Sequence, residues 1–140
     1  IKSYYNKLKM NYFTPDNKHI SPIHKKAIEI FTLSSKISNY LVPDLARLQS
    51  DGSEDPSIYF TGDIIQQSNS LVPEIVQAES KYFSEERHQH LVSISHLTNV
   101  LDKNCDRLER INSNGKEFLP LLRKELKKFR KLQHIWMLTL

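Results

Sequence analysis

Apolar residues recur at helical spacing from Ile94 to Trp136 and form the strongest pattern in the chain. One set of positions, spaced by seven and interrupted at Gly115, holds Ile94, Leu101, Leu108, Leu122, Phe129 and Trp136. A second set holds Leu97, Ile111, Phe118 and Leu132, with Asn104 and Glu125 as its polar gaps. Steps of three and four place these side chains on one narrow stripe of a helix. Since such a stripe is unstable in water, we expect it to pack against helices of this chain or of a partner.

Helical spacing elsewhere, together with turn and cap residues, predicts an all-α fold with a single helical domain over 1–140. The predicted elements are a short helix at 1–13, a kinked helix at 21–49, an acidic linker at 50–59, a long helix at 60–113 and a basic C-terminal helix at 116–138. Ser21-Pro22 is a typical helix start, and Pro43 predicts the kink. We therefore predict a helical bundle that contains a long antiparallel helical hairpin with coiled-coil-like heptad packing.

Two positions leave alternatives open. Gly115, which follows polar residues as a C-cap glycine would, and Pro120 favour a hairpin, but the apolar phase runs through Gly115 and also fits one kinked helix. The linker, rich in serine and acidic residues, is typical of a solvated connector, and serine phosphorylation there is the alternative function. The long helix is expected to begin near Asp63 and to carry Tyr82 and Phe83 on its apolar face.

Composition narrows the class of protein. The 39% hydrophobic and 26% charged content is ordinary for a soluble domain. The single cysteine, Cys105, excludes an internal disulfide, and no run resembles a signal peptide or a membrane span. We expect an intracellular protein, cytoplasmic or nuclear. Because the chain opens on Ile1, we also expect a fragment of a longer protein.

Histidines and carboxylates at 85–96 are candidate metal ligands. Glu85 and His88 have the Glu-x-x-His spacing of di-metal bundles, but the chain has no second such pair. His88 and His90 would point about 200° apart on a helix. We predict no metal here, a partly buried His90, and solvated His88 and His96.

Catalytic signatures are missing from the sequence. Cys105 lies beside the apolar stripe, where a free cysteine usually acts as a small apolar residue, and no base is placed near it. No phosphate-binding glycine loop, nucleophile elbow or dinucleotide fingerprint occurs. We therefore expect no enzyme activity and no cofactor.

Positive charge is concentrated near the C-terminus. The net charge is +4, and residues 113–140 hold seven Lys/Arg against two Asp/Glu. The predicted basic face comprises Arg123, Lys124, Lys127, Lys128, Arg130 and Lys131. It fits either a solvated helix surface or a site for an acidic partner, whether protein, nucleic acid or anionic lipid.

These patterns lead to one main functional hypothesis and one alternative. The main hypothesis is a non-catalytic protein–protein interaction module, a scaffold, adaptor or tether subunit of a larger assembly. Its predicted partner-binding residues are those of the apolar seam, which would contact other helical subunits or a second copy: Ile94, Leu97, Leu101, Leu108, Leu122, Phe129 and Trp136. The alternative is a basic-helix domain that binds nucleic acid or an anionic membrane surface. Asn104 and Glu125 would either pair within a buried seam and fix its register, or reach water.

Overall fold

The computed structural model describes residues 20–111 and 115–140, and within these ranges it contains helices and no β-strand. The α-helices, numbered in chain order, are α1 (Pro22–Leu45), α2 (Ile58–Ser80), α3 (Ser84–Glu109) and α4 (Leu119–Met137), and a 3₁₀ helix, Lys116–Phe118, precedes α4. The all-α prediction is confirmed. The predicted helix at 1–13 lies outside the described residues.

The helices form an up-down-up-down bundle, in which α4 packs against both α1 and α3. Ser38 near the end of α1 donates its hydroxyl to the carbonyl of Thr61 near the start of α2. Gln133 near the end of α4 donates to Ser95 in the first half of α3, 3.0 Å away, whereas Arg123 near the start of α4 contacts Glu109 at the end of α3. These contacts show antiparallel neighbours. The α3–α4 pair is therefore a hairpin, and the alternative of one continuous helix is wrong.

The core lies along the bundle axis and receives side chains from every α-helix. Its fully buried members include Ile30, Ile37, Leu41, Ile64, Leu71, Ile75, Ile94, Leu101, Leu108, Leu119 and Phe129. Each of these aliphatic and aromatic side chains contributes about 1.5–3 kcal/mol when it leaves water. Burial of this kind, more than helix propensity, stabilises the helices.

The predicted long helix at 60–113 is wrong, because the chain leaves helical geometry at 81–83. Lys81 and Phe83 have extended backbones, with ψ of 136° and 134°. Arg87 spans the turn and donates from its guanidinium to the carbonyl of Lys81. This reversal lets α3 fold back antiparallel onto α2.

The break was hidden in the sequence because Tyr82 and Phe83 continue the apolar pattern. Both side chains are exposed, at 93% and 71%, so their assignment to a buried face is also wrong. Two acidic residues in the sequence did mark the start of a helix here, since Glu85 and Glu86 occupy the first turn of α3. Carboxylates there interact favourably with the positive end of the helix dipole.

Helix α1 begins as predicted and ends earlier. The hydroxyl of Ser21 accepts the backbone N–H of His24 at 3.3 Å, which caps the helix. The helix passes through Pro43 without a restart and stops at Leu45, four residues short of the predicted span 21–49. Pro43 is exposed, and the helix ends within a turn of it.

The connection from α1 to α2 is held by its own polar groups. Gly52 has φ +86°, in the left-handed region that favours glycine. Asp51 accepts the backbone N–H of Ser53 at 3.0 Å and its hydroxyl at 2.6 Å, and these bonds lower the pKa of Asp51. The predicted linker at 50–59 overlaps this connection, but α2 already begins at Ile58, so Asp63 lies inside the helix. Serine phosphorylation in this connection stays a prediction.

Gly115 serves a different purpose from the predicted C-cap. Helix α3 ends at Glu109, and Gly115 has φ −96°, which other residues also adopt. A Cβ at Gly115 would lie 2.8 Å from the Cβ of Tyr40 and 3.2 Å from Cδ2 of Leu41. Glycine is needed because the chain here runs against α1.

The two polar gaps in the seam are both paired, as the register hypothesis requires. Asn104 is buried, donates to Gln67 of α2 at 3.0 Å and accepts from Arg107 at 3.2 Å. Glu125 accepts a 2.7 Å bond from Lys26 of α1. This bond raises the pKa of Lys26 and lowers the pKa of Glu125. Each gap therefore links two helices.

Candidate functional site

The seam that the sequence marked for partner binding forms the chain's own core. Five of its residues are fully buried, Trp136 is 7% exposed, and Leu97 packs partly buried against the rest; the five are Ile94, Leu101, Leu108, Leu122 and Phe129. The indole N–H of Trp136 also donates to Glu79 of α2 at 2.8 Å. A partner reaches these side chains only if the bundle opens, so their role in partner binding stays a prediction.

The histidines near the start of α3 are separated in space. Nδ1 of His90 lies 2.7 Å from a carboxylate oxygen of Glu74 on α2, and the His90 side chain is partly buried, as predicted. His88 and His96 are exposed, also as predicted. Across 20–111 and 115–140, no group of three or more His, Cys, Asp or Glu side chains is placed to hold a metal ion.

Cys105 lies on α3, and its side chain is fully buried in the core of the bundle. Burial raises the pKa of its thiol to about 12, with a smaller contribution in the same direction from Asp102. At neutral pH the thiol is protonated, so it is a poor nucleophile. Its environment is that of a packing residue.

The basic face of α4 divides into two parts, and the first faces α3. The guanidinium of Arg123 lies 3.1 Å from both Asp102 and Glu109 and 3.5 Å from Asp106. The bonds to Glu109 and Asp102 raise the pKa of Arg123. Arg130 donates to the backbone carbonyl of Thr98 at 3.3 Å. These two arginines therefore hold α4 to α3.

An open groove of about 460 Å³ lies between α3 and α4 beside these arginines. Arg123, Lys124, Lys127 and Arg130 line the α4 wall, and Asp102 and Glu109 line the α3 wall. The two carboxylates offset only two of the four cations, so the groove keeps a net positive charge. Lys124 lies at its rim and is also exposed on the outside of α4.

The second part of the basic face is exposed and forms what we call the outer row of α4. The row comprises Leu121, Lys124, Lys128, Lys131 and Ile135 of α4 and its C-cap residue Leu138, all exposed. Its steps of three and four repeat the spacing of a coiled-coil seam, on the side away from the core. At 1.5 Å per residue it extends over about 25 Å.

The lysines of the outer row are only partly neutralised by the bundle. Lys128 lies 3.1 Å from Glu125, which Lys26 already contacts. Within the described part of the chain, Lys124 and Lys131 have no acidic partner. The row therefore presents positive charge at its centre and exposed apolar side chains at both ends.

The sequence pattern predicted these lysines, but not that Leu121, Ile135 and Leu138 lie in line with them. The three-four spacing of the six residues is present in the sequence. The stronger inner seam on the same helix obscured it. Within the described ranges, no helix has both the length and the apolar character needed to cross a bilayer.

Comparison of the chain with protein-family models, with curated proteins and with solved structures finds no match.

Proposed function

We propose that this chain is a non-catalytic interaction module of a larger intracellular assembly, and that it binds an acidic helix of a partner protein along the outer row of α4. The observation that carries the proposal is the second three-four stripe on α4, which is exposed while the first is buried. A helix with such a stripe on each side can pack into its own bundle and still receive another helix.

Charge indicates what kind of helix fits. Lysines at the centre of the row favour a partner with Asp or Glu at matching positions. An exposed ion pair contributes only about 0.2–1 kcal/mol, so these pairs would mainly set orientation and association rate. The proposal thus assigns Lys124, Lys128 and Lys131 to partner selection.

The ends of the row favour a protein over the other acidic partners. Leu121 is 51% exposed, Ile135 59% and Leu138 76%. A nucleic-acid backbone offers these side chains no apolar contact. A membrane-surface helix has separate apolar and basic faces, whereas here the lysines lie in line with the apolar side chains and would have to extend back to the headgroups. A partner helix with apolar ends and an acidic centre matches all six positions.

The proposal includes no catalysis, and the state of the Cys105 thiol supports this. Cys105, the single thiol, is buried and protonated at neutral pH. The polar contacts across the bundle, such as Asn104 with Gln67, join helices inside the fold.

The test compares two triple variants with the same loss of charge. One is Lys124→Gln/Lys128→Gln/Lys131→Gln in the outer row. The other is Lys25→Gln/Lys36→Gln/Lys103→Gln, at exposed positions of α1 and α3. Each tagged protein is used to capture partners from nuclease-treated lysate at low and high salt, and binding to a 30-base-pair duplex and to phosphatidylserine vesicles is measured in parallel.

We expect a stoichiometric protein that is retained by the wild type and the α1/α3 variant and lost from the outer-row variant. Equal loss from both variants would show that net charge alone governs binding and would contradict the proposal. Binding to duplex or vesicles that depends on the outer row, with no protein retained after nuclease, would replace it with the nucleic-acid or membrane alternative.

A further inference from the structure

Uncharged residues form the middle of the outer surface shared by α1 and α2. It is formed by residues just outside the line of contact between the two helices: Phe31, Ser35 and Val42 on α1, and Ile65, Asn69 and Val76 on α2. We call this surface the α1–α2 face. The positions follow steps of four and seven on each helix, so each set lies on one side of its helix.

None of the eight charged residues of the two helices occupies one of these six positions, and some of them contact other helices. Lys26 of α1 contacts Glu125 of α4. On α2, Glu74 contacts His90 of α3, and Asp63 lies one turn before Gln67, which bonds α3. The α1–α2 face therefore carries no Asp, Glu, Lys or Arg among its residues, in a chain with 26% charged residues.

Apolar side chains on this face remain in contact with solvent. Val42 is 39% and Val76 37% exposed. Phe31 and Ile65 are partly exposed, and neither is among the side chains that pack against the core. Depletion of charge together with exposed aliphatic and aromatic residues is the composition of an interface centre.

We infer that the α1–α2 face joins two copies of this chain in a symmetric dimer. A two-fold interface brings a patch against its own copy, so any charged residue near the axis meets a like charge. A charge-free patch avoids this repulsion, whereas the lysine row of α4 would repel its own copy. The charge pattern therefore favours a second copy on the α1–α2 face and an unlike, acidic partner on α4.

The available area suits a weak dimer. Helix α1 has 24 residues and α2 has 23, and at 1.5 Å per residue and about 10 Å per helix width their whole outer side measures about 35 by 20 Å, or roughly 700 Å². The α1–α2 face, about 18 Å long on each helix, covers roughly half of this area. Standard interfaces bury about 800 Å² per partner, so we expect a weak dimer that dissociates at about 100 µM. Because α2 and α4 are at opposite corners of the bundle, dimerisation leaves the outer row of α4 accessible.

The experiment is sedimentation equilibrium of the whole chain between about 5 and 200 µM, a range chosen to span the expected dissociation constant. The test variant is Asn69→Glu, at the centre of the face. The matched control is Asn99→Glu, an exposed position on α3 with the same change of side chain. Circular dichroism and thermal unfolding verify that both variants fold.

We expect the wild type and Asn99→Glu to approach twice the 16.4 kDa chain mass as concentration rises. In Asn69→Glu the dissociation constant should rise by about a hundredfold or more, since a charge is buried without a partner. Gly62→Glu is a second variant, seven residues before Asn69 and therefore on the same side of α2, where a new Cβ meets nothing within 4 Å. It should weaken the dimer in the same direction with the fold intact.

Two results would overturn the inference. A wild-type chain that stays monomeric at 200 µM would exclude self-association as the use of this face. A dimer that tolerates both Asn69→Glu and Gly62→Glu would show that the two copies meet elsewhere.

Discussion

Gly115 and Gly62 offer a test of the packing between α1 and the α3–α4 hairpin, because the same substitution should have opposite effects at the two sites. At Gly115 an added Cβ would lie 2.8 Å from the Cβ of Tyr40. That atom is fixed to the α1 backbone, so the clash is not relieved by rotating a side chain. At Gly62, within α2, nothing lies within 4 Å of the added atom.

The magnitudes follow from these surroundings. Overpacking typically destabilises by about 1–3 kcal/mol. Loss of glycine's freedom in the unfolded chain recovers about 0.4–1 kcal/mol at a position whose φ suits alanine. Gly115→Ala should therefore lower the free energy of unfolding by about 1–2 kcal/mol. Gly62→Ala should raise it by about 0.5–1 kcal/mol, because alanine is the better residue inside a helix.

The assay is urea unfolding followed by circular dichroism at 222 nm, with thermal unfolding as a second measurement. For a domain of this size, 1 kcal/mol corresponds to a change of about 3 °C in Tm. The two variants should therefore differ by roughly 5–9 °C. If Gly115→Ala stabilises the chain as much as Gly62→Ala does, the close approach of the hairpin to α1 is refuted.

Three further outcomes are expected. Burial lowers the pKa of His24 from its ordinary value of 6.5, and Glu79 partly opposes this shift, so the free energy of unfolding should fall as the pH drops below about 6.5. In His24→Gln the urea midpoint should depend less on pH between about 5 and 7.5, and an unchanged dependence would contradict this. Cys105 should react with a disulfide reagent at pH 8 only as the protein opens, so rapid labelling of the native chain would contradict its burial. Asn104→Ala should destabilise by about 1–2 kcal/mol in urea, since it removes the bond to Gln67, and a neutral result would refute that pairing.

The sequence predicted the helical class and the packing stripe because both depend on local periodicity. Ile94, Leu101 and Phe129 are buried as their spacing indicated. What the stripe packs against depends on how the helices fold together, which periodicity does not encode. A seam that packs against helices of its own chain and a seam that packs against a partner have the same periodicity in the sequence.

Two errors in element boundaries and roles have a similar cause. Tyr82 and Phe83 resemble helix residues, yet the chain turns there because α3 must return along α2. Gly115 resembles a C-cap, yet it is required by Tyr40, a contact between residues 75 apart in the chain. Both features depend on tertiary contacts.

The candidate site was only half visible in the sequence. The basic residues of α4 can be counted in the sequence. Only the folded bundle shows that Arg123 and Arg130 contact α3 while the lysines of the outer row remain exposed. The α1–α2 face is defined by what is missing from it, namely charge. It becomes visible only once α1 and α2 are placed side by side.

The central claim is that the apolar seam packs within the chain's own bundle, so that the outer row of α4 remains for a partner. Native-state hydrogen exchange of the isolated chain tests this claim most directly. If the seam packs in this way, amides of α4 between Leu122 and Trp136 should exchange only through global unfolding, with protection equal to that of α1 and α2. Exchange of α4 near the rate of a free peptide, with the other helices still protected, would mean that the seam needs a partner helix to pack, and would contradict the proposed use of the outer row.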